Sequence, residues 1–260
     1  MLEQLTKGEA AYRPDSGWPA WSVLPAAVGI FVLAALIGAG LSYAYGVAAG
    51  GYIISPEISP GGAASPQVTM QLAVFVAGLQ VGLIALTLLA GGLSAQKRAG
   101  VLALKAPAQG WGVLPAALLP LFAVTAVWTA ALLFMQPTAV YQDLRPFQEL
   151  MQGNAIWIIL PVICVGAPVS EELLFRGFLF SGLAKSRLGF LGTAILTTVL
   201  WTALHAGYSA FGMVEVLGIG LYFSWLLIRT GSLWVTIICH AVYNTVVAVC
   251  LLLVTLPPAG

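Results

Sequence analysis

The stretch Ser170-Glu171-Glu172-Leu173-Leu174-Phe175-Arg176-Gly177 decides how this chain is read. It sets three ionisable side chains into an apolar run from Ala155 to Leu183 that holds no other charge. A charged side chain at membrane depth costs roughly 2.5–3.5 kcal/mol on insertion scales, and adjacent carboxylates also repel each other. A membrane helix carrying such a cost marks a working site.

The surrounding composition makes the membrane reading the natural one. The chain has 260 residues, 60% of them hydrophobic and 7% charged. Soluble domains are about 45–50% apolar and about 25% charged. A net charge of +1 without a basic cluster argues against nucleic acid as a partner. Cys164, Cys239 and Cys250 lie in apolar runs and form no C-x-x-C pair, so they read as buried, inert thiols. Residues 1–18 are polar and mixed in charge, and the first apolar run, Trp21 to Tyr45, exceeds the roughly 7–15 residues of a signal-peptide core. That run is expected to be a retained span.

Hydropathy predicts an all-α, polytopic membrane helix bundle of about seven transmembrane helices. The spans fall at 21–45, 68–93, 113–135, 155–182, 190–207, 212–228 and 232–255, each near the ~20 residues that cross a bilayer. Lys7, Arg13, Lys97, Arg98, Lys105, Lys185, Arg187 and Arg229 fall in the odd connections, and Arg145 alone in the even ones. The positive-inside rule then puts the N-terminus in the cytoplasm and the C-terminus on the far side. The second connection, 46–67, is rich in Gly, Ser and Pro. Gln96–Trp111 and Tyr141–Met151 mix charge with apolar residues and read equally as interfacial segments or as ordered polar loops. Gly46/Gly50 and Gly78/Gly82 have the small-residue spacing of close internal helix packing.

The chemistry-bearing residues gather late in the chain. The acids within spans are Glu171, Glu172 and Glu215, and the histidines of the chain, His205 and His240, are also in spans. Glu171 and His205 lie about 16 and 18 residues from the turn near 185–187, so they reach equal depth in a helical hairpin and can face each other. His240, about eight residues into the last span, comes out ~12 Å shallower by rise alone. Glu172 and Arg176 are i,i+4 and share a helix face, which leaves Glu171 on another. His240 and Asn244 have the same spacing. Pro168 removes a helix hydrogen bond and is expected to free the carbonyl of Cys164 for a water.

Other hydrolytic designs fit poorly. Asp15 and Asp143 lie outside the spans, so no aspartyl pair is available, and neither H-E-x-x-H nor G-x-S-x-G occurs. Ser170 and Ser181 stay open as nucleophiles. Each histidine could also be a packing residue, and Pro168 a simple packing kink.

Glu171-Glu172-x-x-x-Arg176, then a span with x-x-x-His205, then His240-x-x-x-Asn244 resembles the CPBP family of intramembrane proteases, the CAAX-protease and bacteriocin-processing type also called Abi. Phe175-Arg176-Gly177 and Arg229-Thr230-Gly231-Ser232-Leu233-Trp234 flank the match, which covers about 155–250. One departure is visible, since the family often has Phe where this chain has Trp201. The resemblance implies a cytoplasmic segment 1–20, accessory helices over 21–150, and a catalytic core over 151–256 opening toward the cytoplasm. It implies that Glu171 and His205 activate a water, that Glu172 and Arg176 shape and charge-balance the site, and that His240 and Asn244 stabilise the oxyanion. Two histidines and a glutamate (Glu171, His205, His240) could alternatively hold a zinc with an open position. The expected substrate is a membrane-associated peptide or protein within the lipid bilayer, and the setting the plasma membrane of a prokaryote. The competing readings are a non-catalytic membrane scaffold or immunity factor and a proton-coupled transporter.

Overall fold

A computed structural model describes residues 5–6, 9–51, 65–93, 97–151 and 153–257. Lys7, Gln96 and most of the Gly/Ser/Pro-rich connection, residues 52–64, lie outside the described residues. The chain is all-α, with no strand among the described residues. Its helices are α1 (Ala20–Ala48), α2 (Pro66–Gly92), the single turn α3 (Arg98–Val101), α4 (Val113–Met135), α5 (Pro137–Leu150), α6 (Gly153–Leu183), α7 (Gly189–Ala203), α8 (Ala210–Thr230) and α9 (Leu233–Leu253). Six of them, α1, α2, α4, α6, α8 and α9, are long and apolar enough to cross a membrane. The protein is therefore a multi-pass helical bundle of the membrane.

Local chemistry sets the helix ends. Ser65 caps α2 by accepting from Val68 N, and Pro66 sits at the first helical position, where its missing N–H is no loss. Ser209 caps α8 by accepting from Gly212 N, and Gly231 ends it at φ +66°, the left-handed conformation that glycine adopts without strain. α1 and α2 pack at backbone contact. A Cβ on Gly78 would meet Gly38 Cα at 2.9 Å, and one on Gly82 would meet Ala34 Cα at 3.0 Å. The small-residue spacing is thus used inside the molecule, with Gly78 and Gly82 facing Gly38 and Ala34 rather than Gly46 and Gly50.

Two expectations need correction. The fifth span was expected over 190–207, yet α7 ends at Ala203 after 15 residues, short of the ~20 that cross a bilayer. His205 therefore lies in the turn after the helix. The cause is the start of α8, because Ser209 gives its N–H (2.5 Å) and hydroxyl (2.7 Å) to Asp143 of α5. Thr198 faces Ser224 at 3.5 Å, and Trp201 lies against Gly220, so α7 stops near the level of Gly218. α8 continues to Ala210, ~12 Å farther. That leaves a notch beside the turn 204–209, where Ala203, Leu204, Ala206 and Gly207 are exposed.

The second correction concerns depth. A Cβ on Gly177 would touch Leu233 Cδ2 at 3.3 Å, so the start of α9 is level with Gly177. From Gly177 to Leu183, α6 runs ~9 Å farther before turning into α7. The ~12 Å offset expected for His240 disappears because this hairpin projects past the α8–α9 turn. The N-terminal segment and residues 97–112 cover the same end. Ala11 and Tyr12 give their N–H groups to Ile228 O, Ala108 gives its own to Thr230 O, and Leu233 to Ala103 O.

α5 turns the second textured connection into a 14-residue helix, with Pro137 in its first turn, laid across the end of α9. Gln148 donates to Leu251 O at 3.0 Å and to Val254 O at 2.6 Å. The charge bias implies that Ser186 and Gln136 lie on opposite sides of the membrane. In a background lacking Cys164, Cys239 and Cys250, Ser186→Cys and Gln136→Cys are expected to react with an impermeant thiol reagent from opposite faces. Labelling from one face would overturn the orientation.

Candidate active site

The site is built on the unusual backbone of α6. Its chain winds as a π-helix over Val162–Gly166 and again over Glu172–Leu179. In the first π turn, Ala167 N–H bonds Val162 O. Pro168 has no N–H, so the next carbonyl in that register, Ile163 O, is left without its helical donor. Asn244 of α9 supplies one, its Nδ2 lying 3.0 Å from Ile163 O. The sequence pointed instead to Cys164 and a water. The wider π register moves the orphan back by one residue, and a side chain fills it.

The second π turn buries Glu172 and Arg176 completely. Arg176 Nη1 donates to Glu172 Oε1 at 3.0 Å, as their spacing predicted, and Nη2 donates to Gly220 O at 3.1 Å. His240 Nδ1–H reaches the same Glu172 oxygen at 3.1 Å. Glu172 is thus the acceptor that two basic side chains share.

Glu171 points elsewhere, toward α7. Its Oε2 accepts the indole N–H of Trp201 at 2.6 Å. His205 lies one turn beyond, its Nδ1 3.1 Å from Trp201 O. A carbonyl only accepts, so Nδ1 donates here and Nε2 is the ring nitrogen left free of a hydrogen bond. The Trp201 ring joins the two halves of the site. Its centroid is 5.1 Å from that of His205 and 5.7 Å from that of His240, and the Arg176 guanidinium carbon sits 4.5 Å over it. Glu171, Glu172, Arg176, His205 and His240 therefore gather around one indole. Asn244 stands a turn above, and Glu215 is drawn aside by Tyr243 Oη at 3.0 Å.

The alternatives left open by the sequence can be placed as well. Ser170 spends its hydroxyl on Ala167 O at 3.1 Å, and Ser181 is buried in the last turn of α6. Among the described residues no group of three or more His, Cys, Asp or Glu side chains is arranged to hold a metal ion. Glu171, His205 and His240, the ligands the sequence offered for a zinc, do not form such a group. The three cysteines are free thiols, but the expectation that they are buried holds only for Cys239, since Cys164 is half-buried and Cys250 lies on the outer face of α9.

Sequence reasoning passed over two residues. Trp201 was noted only as an aromatic, although its spacing from His205 already places them one turn apart. Gly220 carried no signal at all. A Cβ there would lie 2.6 Å from Thr198 Cγ2, 2.8 Å from Trp201 Cε3 and 3.0 Å from Arg176 Nη2. Overpacking of a filled core typically costs about 1–3 kcal/mol. Gly220→Ala is expected to destabilise the protein by that amount in a denaturant titration, whereas the same change at the open Gly218 should do little.

Glutamates, an arginine and histidines thus meet at one indole inside a bundle of membrane helices. Residues 153–246 match the family described as Type II CAAX prenyl endopeptidase Rce1-like, so the resemblance read from the motifs holds across the core. The chain is also similar to "Putative membrane peptidase YdiL" of Bacillus subtilis (strain 168), at 26% identity over 96 residues, 37% of this chain and 38% of the relative. A second relative is "UPF0177 protein YxdF" of Lactococcus lactis subsp. lactis (strain IL1403), at 26% identity over 91 residues, 33% of this chain and 49% of the relative. The chain thus spans less than half the length of these relatives. No solved structure matches it.

Proposed function

We propose that the chain is an intramembrane endopeptidase that cuts a membrane-associated, CAAX-like substrate with a water activated by Glu171 and His205. The catalytic core is 151–256, and the N-terminus is cytoplasmic. The observation that carries the reading is the attachment of Glu171 and His205 to one residue, through Trp201 Nε1 and Trp201 O. Glu171 keeps Oε1 to take the proton of a water. His205 keeps Nε2 to accept from that water and orient it, and the proton taken by Glu171 passes to the leaving amine as the C–N bond breaks. A positioned general base contributes typically 10²–10⁴-fold to such a step.

The oxyanion falls to α9. One Asn244 N–H is engaged by Ile163 O, and the other is free to donate. His240 offers Nδ1–H to Glu172, so it donates from Nε2 only when it carries both protons. Each preorganised oxyanion donor adds about 10²–10³-fold.

The test is cleavage by the purified protein in lipid vesicles, offered membrane-anchored peptides with and without a prenylated C-terminal cysteine. Product formation that disappears in Glu171→Gln supports the reading. Failure of the folded wild type to cut any of them, or uptake driven by a proton gradient instead, overturns it.

A further inference from the structure

We propose that Trp201 is a positioning residue, its indole N–H fixing the Glu171 carboxylate at a set distance from His205; this rests on the peptidase reading above. The bond is short, 2.6 Å, as expected for a donor facing a carboxylate. The same residue holds His205 by its main-chain oxygen. The base and the imidazole are therefore both referenced to one residue, which fixes their separation across the α6–α7 contact.

The indole cannot swing away. It is 3% exposed, lies beneath the Arg176 guanidinium, and packs on Phe223 at 6.5 Å and on both histidines. It fits because Gly220 has no Cβ. Every one of these ring contacts could be made by a phenylalanine. The hydrogen bond to Glu171 is the one interaction that needs the indole nitrogen. A residue serving only to fill the core would leave that N–H without consequence for the reaction.

The decisive experiment compares wild type, Trp201→Phe and a protein carrying benzothienylalanine at position 201, which keeps the two fused rings and replaces N–H by sulfur. Peptide cleavage in vesicles is measured together with the infrared carboxyl band of Glu171, isolated by subtracting the spectrum of Glu171→Gln. The expected result is kcat lower by about 10- to 100-fold, because an ångström of misplacement can cost 10²-fold. KM should stay within about twofold, the melting temperature should be unchanged, and the Glu171 band should shift. Unchanged kcat with benzothienylalanine overturns the proposal even if Trp201→Phe fails to fold. A melting temperature that falls together with activity in both variants also overturns it, in favour of packing. If the folded wild type cleaves none of the peptides, the peptidase reading fails, and an unshifted band would then dismiss the positioning role separately.

Discussion

Glu171→Gln is expected to lower peptide cleavage by about 10²–10⁴-fold while the protein still purifies folded. Glutamine keeps the volume of the side chain, and its amide oxygen can still accept from Trp201 Nε1. What it loses is the capacity to take a proton from water. The change should therefore appear in kcat, with KM and helical content close to wild type. Folding should survive because Glu171 is half-buried and stands outside the Glu172–Arg176 pair. The measurement is single-turnover cleavage of a membrane-anchored peptide at enzyme excess. A variant that cuts at the wild-type rate would sink the assignment of Glu171 as base.

Glu172→Gln should do the opposite, damaging the fold before the chemistry. Arg176 and Glu172 are both fully buried, and a glutamine could still accept one N–H but no longer balances the guanidinium charge. His240 loses the carboxylate that receives its Nδ1–H. Removing one member of a buried pair costs about 3–5 kcal/mol because the other charge is stranded. Replacing both members with apolar side chains is often neutral. The expected pattern is severe loss of stability in Glu172→Gln and substantial recovery in Glu172→Leu/Arg176→Leu, read by denaturation in bicelles. A single variant as stable as wild type would mean that the pair does not hold α6 in place.

Much of the fold and the site was legible in the sequence, and the exceptions share physical causes. Composition and run length yield the bundle, since few other folds tolerate so little charge. Equal spacing from the turn brought Glu171 and His205 together because depth in an antiparallel hairpin depends on rise alone. His240 came out too shallow because rise counting assumes that helices start level, and nothing local reveals that α6 and α7 project beyond α9. The end of α7 was missed because Leu204 and Ala206 are as apolar as the helix before them; the stop comes from Asp143, 66 residues away in sequence, capturing Ser209. The π turns leave almost no compositional trace beyond Pro168. Trp201 shows how a residue class can hide a role, since counting it as an aromatic conceals its hydrogen-bond donor.

The early stop of α7 has a consequence for the solvent itself. A 15-residue helix reaches ~22 Å, against about 30 Å of hydrocarbon. The N–H groups of Leu204, His205, Ala206 and Tyr208 are bonded within the turn, but Leu204, Ala206 and Gly207 are exposed, and a peptide group there without a partner among lipid tails would cost several kcal/mol. Thinning the bilayer along this one flank costs only fractions of a kcal/mol per ångström. A bilayer thinned along this flank would bring head groups and their hydration toward the level of His205. On the peptidase reading, hydrolysis needs a reactant that oil excludes, and a helix too short for its membrane would deliver that reactant from the side.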